Sequence, residues 1–288
     1  MIVLCYIFAI HGALSRQYEF IFMPDPTIHR NITLKRLVLD AIQFFRRQRL
    51  TVKYLGKPFS ISRKFVVIDI TYRCNLACSN CNRSCTKAPT NQEMTPNQIA
   101  DFIDQSIAEN RSWQRIRLLG GEPTFHPDFL HIVEMLRKYR RNHCPELRLV
   151  VCTNGAGNRV RRILKAAPRD VVIKNTFKSS RQRLFRPFNM APVDSPFFRF
   201  SDFACGCRIL NDCGIGVTPQ GIYACAVSGG IDRVVGYGLG RKHLPLSTDD
   251  MTDQLRVFCP LCGHFGFRWP TRVAKRSPTW ERIYRITG

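Results

Sequence analysis

The chain has 288 residues, 44% hydrophobic and 23% charged, so its composition is that of a globular protein and excludes a disordered chain. Its formal charge of +23 would attract polyanions, acidic peptides or an acidic electron-donor protein, although a solvated basic surface explains the charge equally well. Most of its thirteen cysteines fall into three groups. This grouping favours metal ligation in a reducing, cytoplasmic compartment over a disulfide scaffold.

Residues 1–63 are predicted to form a basic N-terminal extension that is mainly helical. The chain opens on an apolar run that is too short to span a bilayer and has no basic residues before it, so we interpret it as a strand or packed extension. We expect no transmembrane segment. Between 31 and 55, apolar residues recur at three- and four-residue steps, which predicts a helix. These residues are Leu34, Leu37, Val38, Ala41, Ile42 and Phe45.

A predicted core, residues 64–204, opens with an apolar strand at 65–70 that leads into four cysteines. Cys74, Cys78 and Cys81 have the spacing C-x3-C-x2-C, and Cys85 follows. Three thiolates converging from one loop suit an iron–sulfur cluster in which one iron has no protein ligand. Zinc more often takes paired C-x2-C clips and four protein ligands. This stretch therefore favours a redox or radical enzyme.

Strands and helices then alternate, which predicts an α/β fold with a parallel sheet, either open or closing into a partial barrel. We predict helices at 96–109, 127–141 and 160–167, and strands at 115–119, 147–153 and 170–177. The strand at 115–119 ends in the sequence GGEP, and the strand at 147–153 ends in TNG. Because chemistry in such sheets lies at the carboxyl ends of the strands, we expect the cysteine loop and both turns to lie together.

After residue 178 the alternation weakens, and at most one strand is predicted up to 204, so a full eight-unit barrel cannot be fitted. Residues 205–265 are predicted to form a cysteine-rich domain with a β-hairpin at 213–225 and a short helix at 249–258. The tail, 266–288, is predicted to be a basic, packed extension.

The motifs TYRCNLACSNC, GGEPTFHPDF and VVCTNG, in this order and at the ends of consecutive predicted strands, resemble the radical S-adenosylmethionine (radical SAM) enzymes over residues 64–177. The resemblance implies that Cys74, Cys78 and Cys81 bind a 4Fe-4S cluster whose fourth iron is chelated by SAM. Reduction of the cluster would cleave SAM to a 5′-deoxyadenosyl radical, which abstracts hydrogen from substrate. The implied SAM-binding residues are Gly120, Gly121, Glu122, Pro123 and Asn154, the glycines admitting backbone carbonyls close to the methionyl amine.

Four positions depart from the family pattern. Asn80 stands where the family usually has an aromatic residue that contributes to adenine contacts. Lys174 and Asn175 stand where it often has a serine and an acidic residue; Lys174 could pair with the SAM carboxylate, face the substrate or be solvated. Cys85 has no family counterpart, and we expect it to be a free thiol near the site.

The C-terminal cysteines resemble the auxiliary-cluster extensions of the SPASM or twitch type. The resemblance implies a second iron–sulfur cluster held by four of Cys207, Cys213, Cys225, Cys259 and Cys262. Cys205 is the alternative ligand, and a structural zinc is the alternative metal. His264 is expected to be a core residue or to lie behind the ligands.

Because such extensions commonly accompany peptide- and protein-modifying members of the family, the favoured hypothesis is a radical SAM enzyme acting on a peptide, protein or other sizeable substrate. An acidic flavodoxin or ferredoxin would fit as its electron donor. Charge alone favours a rival, an RNA-modifying radical SAM enzyme. A third hypothesis is a non-catalytic iron–sulfur or zinc scaffold that binds nucleic acid through its basic surface. The intact GGEP turn argues against a scaffold, which needs no cofactor turn.

Overall fold

A computed structural model describes residues 34–87, 92–177, 184–185, 188–267, 271–272 and 276–287. The predicted helix at 31–55 is two helices, α1 (Leu34–Arg46) and α2 (Arg49–Leu55). They are separated at Gln48, whose backbone is extended and forms an antiparallel bridge with Ser201. This long-range contact interrupts an otherwise continuous helical pattern. The apolar run at the start of the chain lies outside the described residues.

The strands form one six-stranded sheet and one small antiparallel pair. They are β1 (Phe65–Thr71), β2 (Arg115–Gly120), β3 (Arg148–Thr153), β4 (Val172–Asn175), β5 (Leu184–Phe185), β6 (Ile215–Thr218), β7 (Gly221–Tyr223) and β8 (Thr271–Arg272). The large sheet has the order β4-β3-β2-β1-β6-β7, in which all neighbours are parallel except the β6–β7 hairpin. The predicted α/β fold, with a hairpin in a cysteine-rich C-terminal part, is confirmed.

The remaining helices are α3 (Pro96–Ala108), α4 (Phe129–His143), α5 (Asn158–Ala166), α6 (Ile209–Cys213), α7 (Ala226–Val235), α8 (Thr252–Phe258) and α9 (Pro278–Thr287). A capping box at Thr95 and Gln98 starts α3, as the Thr-Pro sequence there suggests. Sequence patterns did not predict α7, because it contains Gly229 and Gly230, which weaken helices. No helix in the described ranges is long and apolar enough to cross a membrane.

The two faces of the sheet differ in chemistry, because alternate residues of each strand point to opposite sides. One face carries Val66, Ile68 and Ile70 of β1 and continues across β2, β3 and β6 into the main hydrophobic core. The opposite face carries the polar side chains Asp69 and Arg117. Burial of each large aliphatic side chain contributes about 1.5–3 kcal/mol, so the apolar face fixes which side of each strand the polar residues occupy.

Candidate active site

The cysteine loop, the GGEP turn (120–123) and the TNG turn (153–155) follow β1, β2 and β3, which are parallel neighbours. The order of the strands along the chain predicts that the loop and the two turns lie at one edge of the sheet, and the structure confirms this prediction. Two backbone hydrogen bonds attach the GGEP turn to the start of the cysteine loop: Gly121 N donates to Thr71 O at 2.7 Å, and Glu122 N donates to Arg73 O at 2.8 Å.

Both glycines of the GGEP turn are required by this close approach. Gly120 has a φ of +142°, and a Cβ atom there would lie 2.0 Å from the carbonyl oxygen of Thr71. A Cβ at Gly121 would lie 2.2 Å from the carbonyl oxygen of Arg73. No side chain fits at either distance, so these glycines let two backbone segments pack directly against each other. Their contact with a SAM amine stays a prediction.

Glu122 joins the GGEP turn to the TNG turn. Its fully buried carboxylate accepts hydrogen bonds from Asn154 N at 2.8 Å and from the hydroxyls of Thr153 and Thr124, each at 2.9 Å. Burial raises the pKa of Glu122, while these hydrogen bonds act in the opposite direction. The side chain is therefore enclosed by donors and holds the two turns at a fixed separation.

Asn154 continues this connection to the cysteine loop. Its Nδ2 donates to Asn75 Oδ1 at 2.9 Å and lies 3.8 Å from Cys74 Sγ. Asn75 Nδ2 in turn donates to Ala156 O at 2.8 Å. The predicted site residue Asn154 thus lies beside the first cysteine of the C-x3-C-x2-C motif.

Cys74, Cys78 and Cys81 are half-buried and lie close enough to influence one another electrostatically. The pKa of the Cys74 thiol is raised, first by burial and also by Cys81, Glu122 and Cys78. Within the described ranges no three His, Cys, Asp or Glu side chains already form a metal-binding group. The fit to an iron–sulfur cluster therefore depends on the soft thiol donors, their shared loop and their proximity.

Cys85 lies beside this group. A hydrogen bond with Cys81 and then burial raise the pKa of the Cys85 thiol. The side chain is buried. This position agrees with the expectation that Cys85 is a free thiol near the site.

A buried ion pair fixes the second half of the cysteine loop. Arg83 Nε donates to Asp69 Oδ2 at 2.7 Å, and Arg83 Nη2 donates to Asp69 Oδ1 at 3.2 Å. Arg233 of α7 stacks over the ring of Tyr72 at 3.8 Å and donates to the carbonyl oxygens of Arg83 and Ser84. The unpredicted helix α7 therefore supports the loop.

Asn80 is buried and faces the C-terminal part of the chain. Its Oδ1 accepts a hydrogen bond from Asn189 N at 3.1 Å, and Asn189 Nδ2 donates to Ser79 O at 3.3 Å. Ser84 and Tyr284 form a second connection, with their hydroxyl oxygens 2.8 Å apart. Sequence reasoning missed these partners, because no local pattern marks residues that lie more than a hundred positions away.

Four of the C-terminal cysteines lie close enough to other C-terminal cysteines to be influenced by them electrostatically. Burial is the main cause of the raised pKa of four thiols, those of Cys207, Cys225, Cys259 and Cys262. The charge of at least one other C-terminal cysteine raises the pKa of each further. Cys213 influences Cys207 and Cys225 and lies 3.5 Å from Arg117 Nη1.

Cys205, the alternative ligand, has a different environment. Its neighbouring charges are those of Asp202, Lys57 and Arg47, and its pKa is raised to about 12, mainly by burial. His264 packs against the ring of Phe188, with centroids 6.1 Å apart.

Residues 68–176 match the family model described as the Radical SAM superfamily. Similar curated proteins include a "Probable GTP 3',8-cyclase" of Thermococcus kodakarensis, which is 32% identical over 84 residues, covering 29% of this chain and 25% of that protein. The "Mycofactocin maturase MftC" of Mycobacterium ulcerans is 38% identical over 66 residues, covering 23% of this chain and 17% of that protein. The chain thus covers a quarter or less of the length of these two relatives.

One solved structure, "BtrN in complex with AdoMet and 2-DOIA", aligns with a TM-score of 0.43 at 16% identity. The alignment covers 71% of this chain and 93% of that one.

Proposed function

We propose that this protein, whose residues 68–176 belong to the radical SAM superfamily, is a radical SAM enzyme. A bound 4Fe-4S cluster and SAM would supply the reductive cleavage that yields a 5′-deoxyadenosyl radical, which abstracts hydrogen from the substrate. The observation that carries the proposal is the hydrogen-bonded attachment of the GGEP and TNG turns to the cysteine loop through Gly121, Glu122 and Asn154. A scaffold protein would have no use for this arrangement.

In this proposal Cys74, Cys78 and Cys81 hold the cluster, and the GGEP turn with Asn154 binds SAM. Glu122 acts from behind the turn, because its carboxylate already accepts hydrogen bonds from both turns. The buried ion pair of Asp69 and Arg83 fixes the loop backbone beyond Cys81. These contacts preorganise the site and reduce the rearrangement needed on binding.

For the second cluster we propose Cys207, Cys225, Cys259 and Cys262 as the four ligands. Cys259 and Cys262 are each influenced by Cys207 and Cys225, but neither has Cys213 among its main influences. Cys213 acts on Cys207 and Cys225 and also accepts a hydrogen bond from Arg117 Nη1 at 3.5 Å. Zinc is the alternative metal for the same thiols, since sulfur donors suit both.

A peptide or protein is the proposed substrate, supported by the cysteine-rich C-terminal part and by the similarity to a protein named as a maturase. The charge of +23 favours an RNA substrate as the rival. The same charge would help an acidic flavodoxin or ferredoxin to dock as the electron donor.

The test is anaerobic reconstitution with iron and sulfide, followed by SAM and dithionite. We expect release of 5′-deoxyadenosine by the wild type and by Cys144→Ala, and none above background by Cys74→Ala. Cys144 is a matched control because its thiol is buried at the end of α4, where Sγ donates to Trp113 O at 3.2 Å. Absence of 5′-deoxyadenosine release by the wild type would reject the proposal that the protein is a radical SAM enzyme.

Metal analysis of the same protein tests the second cluster. About eight iron and eight sulfide per chain would support two 4Fe-4S clusters. About four iron and one zinc per chain would indicate that the C-terminal thiols bind zinc and not a second cluster. Salt-sensitive RNA binding without SAM cleavage would favour the scaffold.

A further inference from the structure

A cavity of about 510 Å³ lies between the polar face of the sheet and the C-terminal cysteine region. Phe65, Arg115, Arg117 and Lys174 line it from the sheet, and their positions follow from the strand register. Phe65 pairs with Arg115, and Arg117 pairs with Val150, two residues from the partner of Lys174. All four side chains therefore point to the same side of the sheet. Cys207 and Cys213 line the cavity from the opposite wall.

Positive charge dominates this cavity. Its lining contains five cationic side chains, those of Arg47, Arg115, Arg117, Lys174 and Arg208, and one carboxylate, that of Asp212. Asp212 pairs with Arg208 at 2.9 Å, so these two charges offset each other. Arg47 is also engaged, since it donates to backbone carbonyls of Gln43 and Phe265 and stacks over the Phe265 ring at 4.3 Å.

The other three cations have no acidic partner in the described part of the chain. Arg115 stacks over the ring of Phe65 at 3.9 Å and donates to Asp212 O, while its buried Nε has no hydrogen-bond partner among the described residues. Among the described residues, the Arg117 guanidinium forms a hydrogen bond with a sulfur atom, Cys213 Sγ, at 3.5 Å. Lys174 forms no ion pair there. Burial, and then Arg117, lower the pKa of Arg115, while Cys213 and Asp212 act in the opposite direction.

Asp212 is the one carboxylate in the lining, and its ion pair is with Arg208. Three neighbouring cations that form no ion pair of their own with the described residues are unfavourable in a partly desolvated cavity unless an anion balances their charge. Guanidinium groups bind phosphate and carboxylate in a bidentate manner, and a lysine adds a point charge. The cavity volume lies within the range of about 300–1,000 Å³ that is usual for small-molecule sites. The chemistry and the size therefore agree on a small anionic group.

We propose that this cavity binds an anionic group of the substrate, a phosphoryl group or a carboxylate, through Arg115, Arg117 and Lys174. The inference rests on the proposed function, which makes the bound molecule a substrate. Arg117 precedes Gly120 by three residues, about 10 Å along β2. A substrate anchored at Arg117 by its anionic group would thus extend about 10 Å towards the GGEP turn.

The test measures binding of two probes, pyrophosphate and glutarate, to the anaerobically reconstituted protein by calorimetry at fixed ionic strength. We expect Arg117→Met and Lys174→Met each to weaken binding at least tenfold. The matched control Arg162→Met removes an exposed cation of α5 and should bind as the wild type does. Binding of pyrophosphate alone would assign a phosphoryl group, and binding of glutarate alone a carboxylate.

Failure of both probes to bind the wild type, or equal binding by all variants, would overturn the proposal. A loss of iron in Arg117→Met or Lys174→Met with unchanged probe binding would also overturn it, since the cations would then serve the C-terminal thiols. Release of 5′-deoxyadenosine by the wild type is measured separately. The anion site and the enzymatic activity can therefore fail independently.

Discussion

The buried ion pair of Asp69 and Arg83 supports the cysteine loop, and we expect Arg83→Met to destabilise the protein. Asp69 is fully buried, and Arg83 reaches it through two hydrogen bonds. Burial lowers the pKa of the Arg83 guanidinium, but the charge of Asp69 and its hydrogen bonds outweigh burial and hold this pKa above its usual range. The substitution would leave the carboxylate without its main partner.

Removal of one member of a buried ion pair costs about 3–5 kcal/mol of unfolding free energy. Arg233 also acts on the Asp69 charge and would remain in the variant, so we expect a value near the lower limit, about 3 kcal/mol. With a shift of about 2–4 °C per kcal/mol for a chain of roughly this size, Tm should fall by about 6–12 °C. The double variant Asp69→Leu/Arg83→Met removes both charges and should lose less than Arg83→Met alone.

The assay is thermal unfolding followed by circular dichroism under anaerobic conditions, with Arg162→Met as the exposed control. Iron content after reconstitution provides a second reading, because Arg83 lies between Cys81 and Cys85 and its loss should lower iron uptake. A Tm for Arg83→Met equal to that of Arg162→Met would refute the reasoning. A double variant as unstable as the sum of the two single variants would show that the side chains do not act as a pair.

Three further outcomes follow from the same geometry. Gly121→Ala would place Cβ 2.2 Å from Arg73 O and should lower 5′-deoxyadenosine release at least tenfold, measured by chromatography. Gly56→Ala adds backbone strain at a φ of +69° but meets no atom within 4 Å, and should retain release. Burial raises the pKa of Glu122, so its contribution to stability is present at low pH and is lost as pH rises through that raised value. The free energy of unfolding, measured in urea at several pH values, should therefore fall with pH in the wild type and not show this fall in Glu122→Gln. Trp280 is fully buried, and Trp280→Ala should cost about 3–5 kcal/mol, measured as a lower urea midpoint.

The sequence predicts the sheet well because two independent signals agree there. Val66, Ile68 and Ile70 give β1 a buried face, and the turns after β2 and β3 carry the glycines that their close approach requires. Strand order along the chain then places the turns at one edge. In contrast, α7 has the glycine pair 229–230 in its middle, and tertiary packing outweighs its low helix propensity. A Cβ at Gly229 would lie 2.6 Å from Thr218 Cγ2, so the glycine serves the contact of α7 with β6.

The irregular positions of the cysteine loop need long-range contacts for their explanation. Asn80 departs from the family pattern, and its Oδ1 accepts a hydrogen bond from the backbone of Asn189. Four residues later, Ser84 contacts Tyr284 of α9. These side chains attach the loop to the C-terminal part of this chain. The departure at Asn80 is therefore better explained by attachment to that part than by loss of a SAM site, because the contacts of Gly121, Glu122 and Asn154 are all formed.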